Sequence, residues 1–243
     1  MRLFNAFRYN MLSKQKFGRY LLYALGETIL VVIGILIALW VNRMSEDRNL
    51  NAQTQQTGRM VLTQMQKDVR EIDSVLVDWD AASKVADTIL RLTKKEEPIP
   101  ITCQQCPSFV TGAILPTLSD RIPKIITNKT LAEGELLDLL NEIEFHYIEA
   151  LKTSEFHENT VIEFTKTTLQ YWQENFSWFA DLSGRGNCPD DCLDYFYKSD
   201  DYRNRATYYE LILLDSYYYE VDVFKERNQE FITRLEALLN KTL

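Results

Sequence analysis

The sequence predicts an all-α protein in which one N-terminal transmembrane helix is followed by an elongated antiparallel helical bundle with a proline- and cysteine-rich loop insert. Three observations predict this class. The chain of 243 residues contains only 8 Gly and 6 Pro, it has one long apolar stretch near its N-terminus, and apolar residues elsewhere recur at intervals of three and four. Such intervals place side chains on one face of a helix, whereas strands require alternation.

The apolar stretch is long enough to cross a membrane. Residues 20–41 read YLLYALGETILVVIGILIALWV and contain one charged side chain, that of Glu27. A helix of this length rises about 33 Å, and the hydrocarbon core of a bilayer is about 30 Å thick. The stretch is longer than the apolar region of a cleaved signal peptide, and no small-x-small cleavage site follows it. We therefore expect an uncleaved transmembrane helix.

Charges on the two sides of this helix predict its orientation. Residues 1–19 form a basic leader without any acidic side chain, whereas the charges of residues 43–48 balance. The positive-inside rule places such a leader in the cytoplasm. Residues 42–243 are then an extracytoplasmic domain, which is periplasmic for a protein of an inner membrane. The whole chain has a net charge of -8, so the domain is acidic, and this argues against nucleic acid as a partner.

Two features of the span suggest more than anchoring. Gly34 and Ala38 form a small-x-x-x-small pair, with Gly26 earlier on the helix, and small residues let another helix backbone approach closely. Glu27 is an ionisable group inside the span, where it can snorkel to the headgroups or pair with a partner helix. Gly26, Glu27, Gly34 and Ala38 are therefore a candidate docking face for other membrane helices or for self-association. The alternative is contact with the lipid bilayer alone, because glycine is common in membrane helices.

The domain after the span is predicted to begin with a long helix, which could be continuous with the span. Residues 43–95 lack proline. Their apolar positions follow a heptad-like pattern: Leu62, Met65, Val69, Ile72, Leu76, Trp79, Ala86 and Leu90. Such a stripe packs against other helices. Residues 51–57, which are rich in Gln and Thr, are the weakest part of the pattern.

Prolines mark an insert after this helix. Five of the 6 prolines lie in residues 96–129, which we expect to be irregular or extended. The sequence Thr130-Leu-Ala-Glu133 is a capping box that predicts the start of a second helix. Helical spacing continues to Gly184-Arg-Gly186, which predicts a turn, and another long helix is expected over residues 200–241.

The 4 cysteines form two close pairs in predicted loops. Cys103 and Cys106 lie in the insert, and Cys188 and Cys192 follow the glycine turn. Disulfides are the default outside the cytoplasm. A bridge between the two loops would tie the bundle together better than two short rings, but 4 cysteines allow three connectivities. A four-cysteine zinc site and a thioredoxin-like redox pair are alternatives that fit this compartment and loop context less well.

The sequence offers few groups for catalysis. Glu142, His146 and Glu149 share one face of the predicted second helix and are weak candidates for a metal site, because one helix supplies too few ligands. A solvated helix face is the simpler interpretation. The chain contains no nucleophile elbow, zinc-protease motif, phosphate loop or dinucleotide fingerprint. We therefore predict neither enzymatic activity nor a cofactor.

Residues 16–48, KFGRYLLYALGETILVVIGILIALWVNRMSEDR, resemble the N-terminal signature of an uncharacterised group of Bacteroidota membrane proteins, domain of unknown function family 6090. Asp68-Val-Arg-Glu and Phe196-Tyr-Lys-Ser-Asp-Asp-Tyr-Arg-Asn204 are also similar to that family. The resemblance implies that Gly26 and Glu27 belong to the signature. It also implies an inner-membrane location with a periplasmic helical domain, and it brings no known activity. The insert around residues 98–123 is less typical of the family.

Two hypotheses about function follow. The first is a single-pass, membrane-anchored periplasmic interaction or scaffold subunit of a membrane complex, without enzymatic activity. The second is a periplasmic ligand-sensing bundle that signals through a membrane partner. Tyrosine-rich clusters could line a ligand or partner surface, although half or more of these rings are expected in the core: Tyr195-Phe-Tyr197, Tyr208-Tyr209 and Tyr217-Tyr-Tyr219.

Overall fold

The structure, a computed structural model, describes residues 17–93 and 105–241 and confirms the all-α class. Within these ranges there is no β-strand. The helices are α1 (Phe17–Thr93), α2 (Arg121–Thr127), α3 (Glu135–Asn175), α4 (Phe179–Arg185), α5 (Asp190–Lys198), α6 (Asp200–Glu210) and α7 (Tyr218–Lys241). A 3-10 helix covers Cys106–Thr111, and a π-helical segment, Leu211–Tyr217, joins α6 to α7. The chain divides into two compact units, residues 1–53 and 54–243.

The first unit contains the apolar part of α1. Its large side chains are exposed, with exposed fractions of 77% for Leu22, 73% for Leu30 and 62% for Trp40. Among the described helices, α1 is the one long and apolar enough to cross a membrane, by length and composition, with a mean hydropathy of 2.4 in its most apolar stretch. The hydroxyl of Thr28 donates to the carbonyl of Ala24 at 2.9 Å, which satisfies this polar group within the helix, as an apolar surrounding requires. The predicted span is therefore a candidate membrane helix.

In the second unit, the heptad-like stripe of α1 forms one wall of the core. Its members Met65, Ile72, Leu76, Trp79 and Ala86 are buried, and Leu62, Val69 and Leu90 are partly buried. The stripe extends into the part that looked weakest in the sequence, where Thr54, Thr57 and Gly58 are buried. A Cβ atom on Gly58 would lie 3.0 Å from a methyl group of Leu239 and 3.5 Å from one of Leu136. Small residues here thus mark close helix packing, which a search for apolar positions does not detect.

Helix directions follow from side-chain contacts. Contacts between α1 and α7 join Gln66 to Glu236, Asp73 to Lys225 and Asp80 to Tyr218. In these pairs the residue number increases along α1 while it decreases along α7, so the two helices are antiparallel. Two further contacts join α1 to α3 and to the residues just before it. Thr54 of α1 binds Ala132, which precedes α3, and Asp68 of α1 binds Tyr147 within α3. Here the numbers rise together, so α3 is parallel to α1 and antiparallel to α7.

The proline-rich insert is more regular than the sequence predicts. Residues Cys106–Thr111 and Arg121–Thr127 are helical, so the prediction of an irregular or extended insert is wrong for these parts. Pro123 is the third residue of α2, where a backbone N–H has no intrahelical acceptor to lose. The indole of Trp79 donates to the carbonyl of Ile114 at 2.7 Å, and the hydroxyl of Tyr202 donates to the carbonyl of Cys106. These two bonds hold the insert against the bundle. Residues 94–104 lie outside the described residues.

The second long helix starts later than the capping box predicts. It begins at Glu135, after Gly134 with a φ of 138°, a conformation that favours glycine. The backbone N–H of Ala132 donates to the Thr54 hydroxyl at 2.8 Å. The prediction of a start at Thr130 is wrong, because this segment is bound to α1 instead of forming a helical turn.

The predicted turn at Gly184-Arg-Gly186 ends a separate short helix. The second long helix already ends at Asn175, and α4 ends at Arg185. Gly186 is left-handed with a φ of 65°. Its N–H donates to Leu182 and that of Asn187 donates to Asp181, at 3.0 and 3.2 Å. This pair of bonds is the Schellman cap that glycine permits.

The final long helix predicted over residues 200–241 consists of three consecutive helical segments. The π-helical segment Leu211–Tyr217 lies between α6 and α7. A π turn holds an extra residue, so the apolar stripe shifts phase across it. Leu211 is 51% exposed, whereas its neighbours Ile212 and Leu213 are buried. Beyond the segment, the apolar side chains of Val221, Phe224, Phe231 and Leu235 are buried.

Candidate functional site

The predicted docking face lies on one uninterrupted helix. Gly26, Glu27, Gly34 and Ala38 all belong to α1 and are exposed. At about 100° per residue, Gly34 and Ala38 each lie within about 20° of Glu27 around the helix axis, whereas Gly26 lies about 100° from Glu27. A Cβ atom at Gly26 or Gly34 would contact nothing within 4 Å. Neither glycine is therefore required for packing within the described chain.

Glu142, His146 and Glu149 do not converge on a metal site. Glu142 pairs with Arg234 of α7 at 2.9 Å, and Glu149 pairs with Lys152 at 2.9 Å. In the part of the chain that the structure describes, no group of three or more His, Cys, Asp or Glu side chains is arranged to hold a metal ion. The three residues thus lie on one helical face, as predicted from the sequence. The carboxylates of Glu142 and Glu149, however, pair with basic side chains.

His146 instead forms part of the wall of a groove between α3 and α7. The groove has a volume of about 430 Å³, which is within the range of small-molecule sites. The imidazole stacks on Phe224, with ring centroids 4.7 Å apart and planes at 17°, and its centroid lies 5.3 Å from that of Phe231. Apolar lining is added by Phe145, Ala150, Val221 and Val223. We call this feature the α3–α7 groove.

Two polar side chains of the α3–α7 groove, His146 and Arg227, lie beside its phenylalanine rings. Burial lowers the pKa of His146 to about 4, the charge of Arg227 lowers it as well, and the backbone of Phe224 opposes both. The imidazole is therefore neutral at pH 7, and its Nε2 is buried with no hydrogen-bond partner among the described residues. The guanidinium of Arg227 lies 5.5 Å from the ring centroid of Phe231. A buried nitrogen without a partner is costly, and this marks the groove as a place for a polar ligand group.

A buried polar network links three helices near His146. The hydroxyl of Tyr147 donates to Asp68 of α1 at 3.0 Å and accepts from the amide of Asn228 of α7 at 3.1 Å. Gln64 also donates to Asp68, at 2.7 Å. Burial raises the pKa of Asp68, and the hydrogen bonds from Gln64 and Tyr147 partly counteract this. The burial of Asp68 was not predicted from the sequence, because an acidic residue in a helix is usually exposed.

Replacing Tyr147 with phenylalanine is expected to lower the free energy of unfolding by about 1–3 kcal/mol, because Asp68 and Asn228 each lose a buried partner. Urea unfolding of the full-length protein in detergent, followed by circular dichroism, measures this. The matched control is Tyr208→Phe, whose side chain is 48% exposed and whose loss should change stability by less than about 0.5 kcal/mol. Equal stability of the two variants would contradict the role of the network.

The disulfide in the second loop is local. Cys188 and Cys192 are bonded to each other, with Cα atoms 5.3 Å apart. The prediction of a bridge between the two loops is therefore wrong for this pair. Cys188 lies just before α5 and Cys192 is its third residue, so a single helical turn brings them together. Cys106 is also disulfide-bonded, and Cys103 lies outside the described residues. No cysteine of the described chain is free.

Most of the tyrosine-rich clusters belong to the core, as expected. Tyr195, Tyr197, Tyr209 and Tyr217 are buried, whereas Tyr208 and Tyr219 are exposed. The indole of Trp172 donates to Tyr195 at 2.8 Å, and Tyr195 donates to Asp201 at 2.7 Å. These rings therefore hold the short helices against α3, and most of the tyrosines are not available to line a surface.

Comparison of the chain with family models, with curated proteins and with solved structures found no match. The resemblance of residues 16–48 to domain of unknown function family 6090 stays a prediction.

Proposed function

We propose that this protein is a single-pass, membrane-anchored interaction subunit of a membrane complex and has no enzymatic activity. The observation that carries the proposal is the exposed apolar part of α1, in which no side chain of the most apolar stretch is buried. An apolar surface of this extent needs lipid or another apolar partner. Its small residues suit a partner helix, because they let two backbones approach closely.

The proposal includes a location. The basic leader and the positive-inside rule support a cytoplasmic N-terminus and a periplasmic domain from residue 42 onward. The local disulfide between Cys188 and Cys192 supports an oxidising compartment for that domain. The resemblance of residues 16–48 to an inner-membrane family supports the same location.

The proposal is tested by purifying the tagged full-length protein from its native membrane in a mild detergent. We expect a stoichiometric membrane partner or a homo-oligomer, which size analysis and mass spectrometry identify. Gly34→Leu and Glu27→Gln alter the docking face and are expected to reduce recovery of that partner by about tenfold, equivalent to about 1.4 kcal/mol.

The matched control is Leu36→Phe, which also adds volume in the span but lies about 180° from Glu27 around the helix axis. This variant should keep its partner. Recovery of a lone monomer from the unmodified membrane, or unchanged partners and size for both docking-face variants, would refute the interaction role of this helix.

A second candidate function is ligand sensing, which the α3–α7 groove favours. In this candidate, a signal from the groove would pass through a membrane partner. A thermal-shift screen of small molecules tests this candidate, because a ligand that binds only the folded state raises its melting temperature. The absence of any stabilising compound would count against it.

A further inference from the structure

We propose that the α3–α7 groove binds a free α-amino acid with an apolar or aromatic side chain. The proposal deepens the ligand-sensing candidate and rests on it. It assigns the charged head of the ligand to His146 and Arg227 and the side chain of the ligand to the phenylalanine-lined wall.

The two head-group residues lie beside the same aromatic ring, that of Phe231. The ring centroid of Phe231 is 5.3 Å from that of His146 and 5.5 Å from the guanidinium carbon of Arg227. Within the described ranges Arg227 forms no ion pair with an acidic side chain. A guanidinium of this kind binds a carboxylate through two parallel hydrogen bonds.

Nε2 of His146 requires a polar ligand group beside that carboxylate. This atom is buried without a partner in the described chain. In a neutral imidazole one ring nitrogen donates a hydrogen bond and the other accepts one. The other ring nitrogen bonds to the backbone of Phe224 and raises the pKa, as a donor to a carbonyl does, so Nε2 is the acceptor. An α-amino acid presents an ammonium donor next to its carboxylate, so the ammonium can donate to Nε2 while the carboxylate binds Arg227.

The acidic residues of the groove disfavour ligands with more negative charge. Glu142, Glu149 and Glu220 line it, and the first two are neutralised by Arg234 and Lys152. Glu220 lies seven residues before Arg227 on α7, about 10 Å along the axis. Its charge favours the ammonium of a zwitterion, and it would repel a dicarboxylate or a phosphate.

The rest of the groove suits an apolar side chain of moderate size. Phe145, Ala150, Val221 and Phe224 supply apolar surface, and Phe224 continues the stack begun by His146. The volume of about 430 Å³ is near the lower end for small-molecule sites. It therefore favours a single amino acid over a longer peptide.

The test uses the full-length protein in lipid nanodiscs and isothermal titration calorimetry. The probes are L-phenylalanine, L-leucine and L-methionine, together with 3-phenylpropionate, which lacks the ammonium, and phenethylamine, which lacks the carboxylate. At least one amino acid is expected to bind saturably with a dissociation constant of about 1 mM or below, and both analogues are expected to bind about tenfold more weakly than L-phenylalanine.

Two variants locate the binding. Arg227→Gln is expected to weaken binding of the amino acid by about tenfold or more. Arg70→Gln changes an exposed arginine of α1 outside the groove and should leave binding unchanged. Circular dichroism at the same concentration verifies that both variants are folded.

Three results would overturn the proposal: no saturable binding of any of the three amino acids, equal binding of phenethylamine or 3-phenylpropionate, or unchanged binding by Arg227→Gln. Failure of the amino-acid proposal can be distinguished from failure of the ligand-sensing candidate. If a broad thermal-shift screen finds another stabilising ligand while the amino acids do not bind, the amino acid is excluded and sensing stands.

Discussion

Replacing Trp79 with alanine is expected to lower the free energy of unfolding by about 3–5 kcal/mol, the usual cost of removing a fully buried aromatic side chain. Trp79 is 1% exposed. Its ring centroid lies 5.2 Å from that of Tyr217 and 6.1 Å from that of Tyr218. Its indole also donates to the carbonyl of Ile114. The substitution therefore opens a cavity between α1 and the last helix and releases one bond that holds the insert.

Chemical unfolding of the full-length protein in detergent, monitored by circular dichroism, measures this loss. The control is Val77→Ala, two residues away on the same helix, where the side chain is 67% exposed and truncation should change the free energy by less than about 0.5 kcal/mol. A difference of less than about 1 kcal/mol between the two variants would show that Trp79 is not a central part of the core.

Acidification is expected to destabilise the protein through His146. The pKa of this group is lowered to about 4 in the folded state by burial and by Arg227, against about 6.5 in an unfolded chain. The unfolded state then binds the proton more tightly, so the contribution of His146 to stability is complete above pH 6.5 and is lost as the pH falls from about 6.5 to about 4. Because the imidazole is only partly buried, we expect a loss of about 2 kcal/mol over this range.

His146→Phe isolates this contribution, because phenylalanine retains a ring against Phe224 but binds no proton. The stability of the variant is expected to fall less than that of the wild type between pH 7 and pH 4.5. Asp68 acts in the opposite sense, since its raised pKa means that acidification relieves a cost of burying its charge, and it is present in both proteins. Measurements at pH 8, where His146 is neutral in both states, provide the reference. Parallel pH profiles for the two proteins would contradict the assignment.

The helices of this protein could be predicted where the apolar pattern is regular and proline is absent. The stripe from Leu62 to Leu90 is on the buried side of α1, and the end of the last helix is buried as its pattern indicates. The insert could not be predicted, because its helices are short and are held by distant partners such as Trp79 and Tyr202. The π-helical segment could not be predicted either, since it shifts the phase of the pattern at Leu211.

The candidate site was predictable only in part. The spacing of Glu142, His146 and Glu149 correctly places them on one helical face, but a face does not identify what packs against it. The partners of His146 are on α7, with Phe224 and Arg227 about 80 residues later in the chain. The shared helical face of Gly34 and Ala38 was easier to predict, because these residues need only a local helix to lie together.

The buried network of Asp68, Tyr147 and Asn228 has a mechanical consequence. Its hydrogen bonds connect one residue on each of the three long helices, so sliding any helix along its axis would break them. Hydrogen bonds lose most of their strength within about 1 Å of stretching, whereas the next equivalent packing of a helix is a full turn of about 5.4 Å away. Sliding one of these helices by less than a turn would therefore break the network without reaching an equivalent packing.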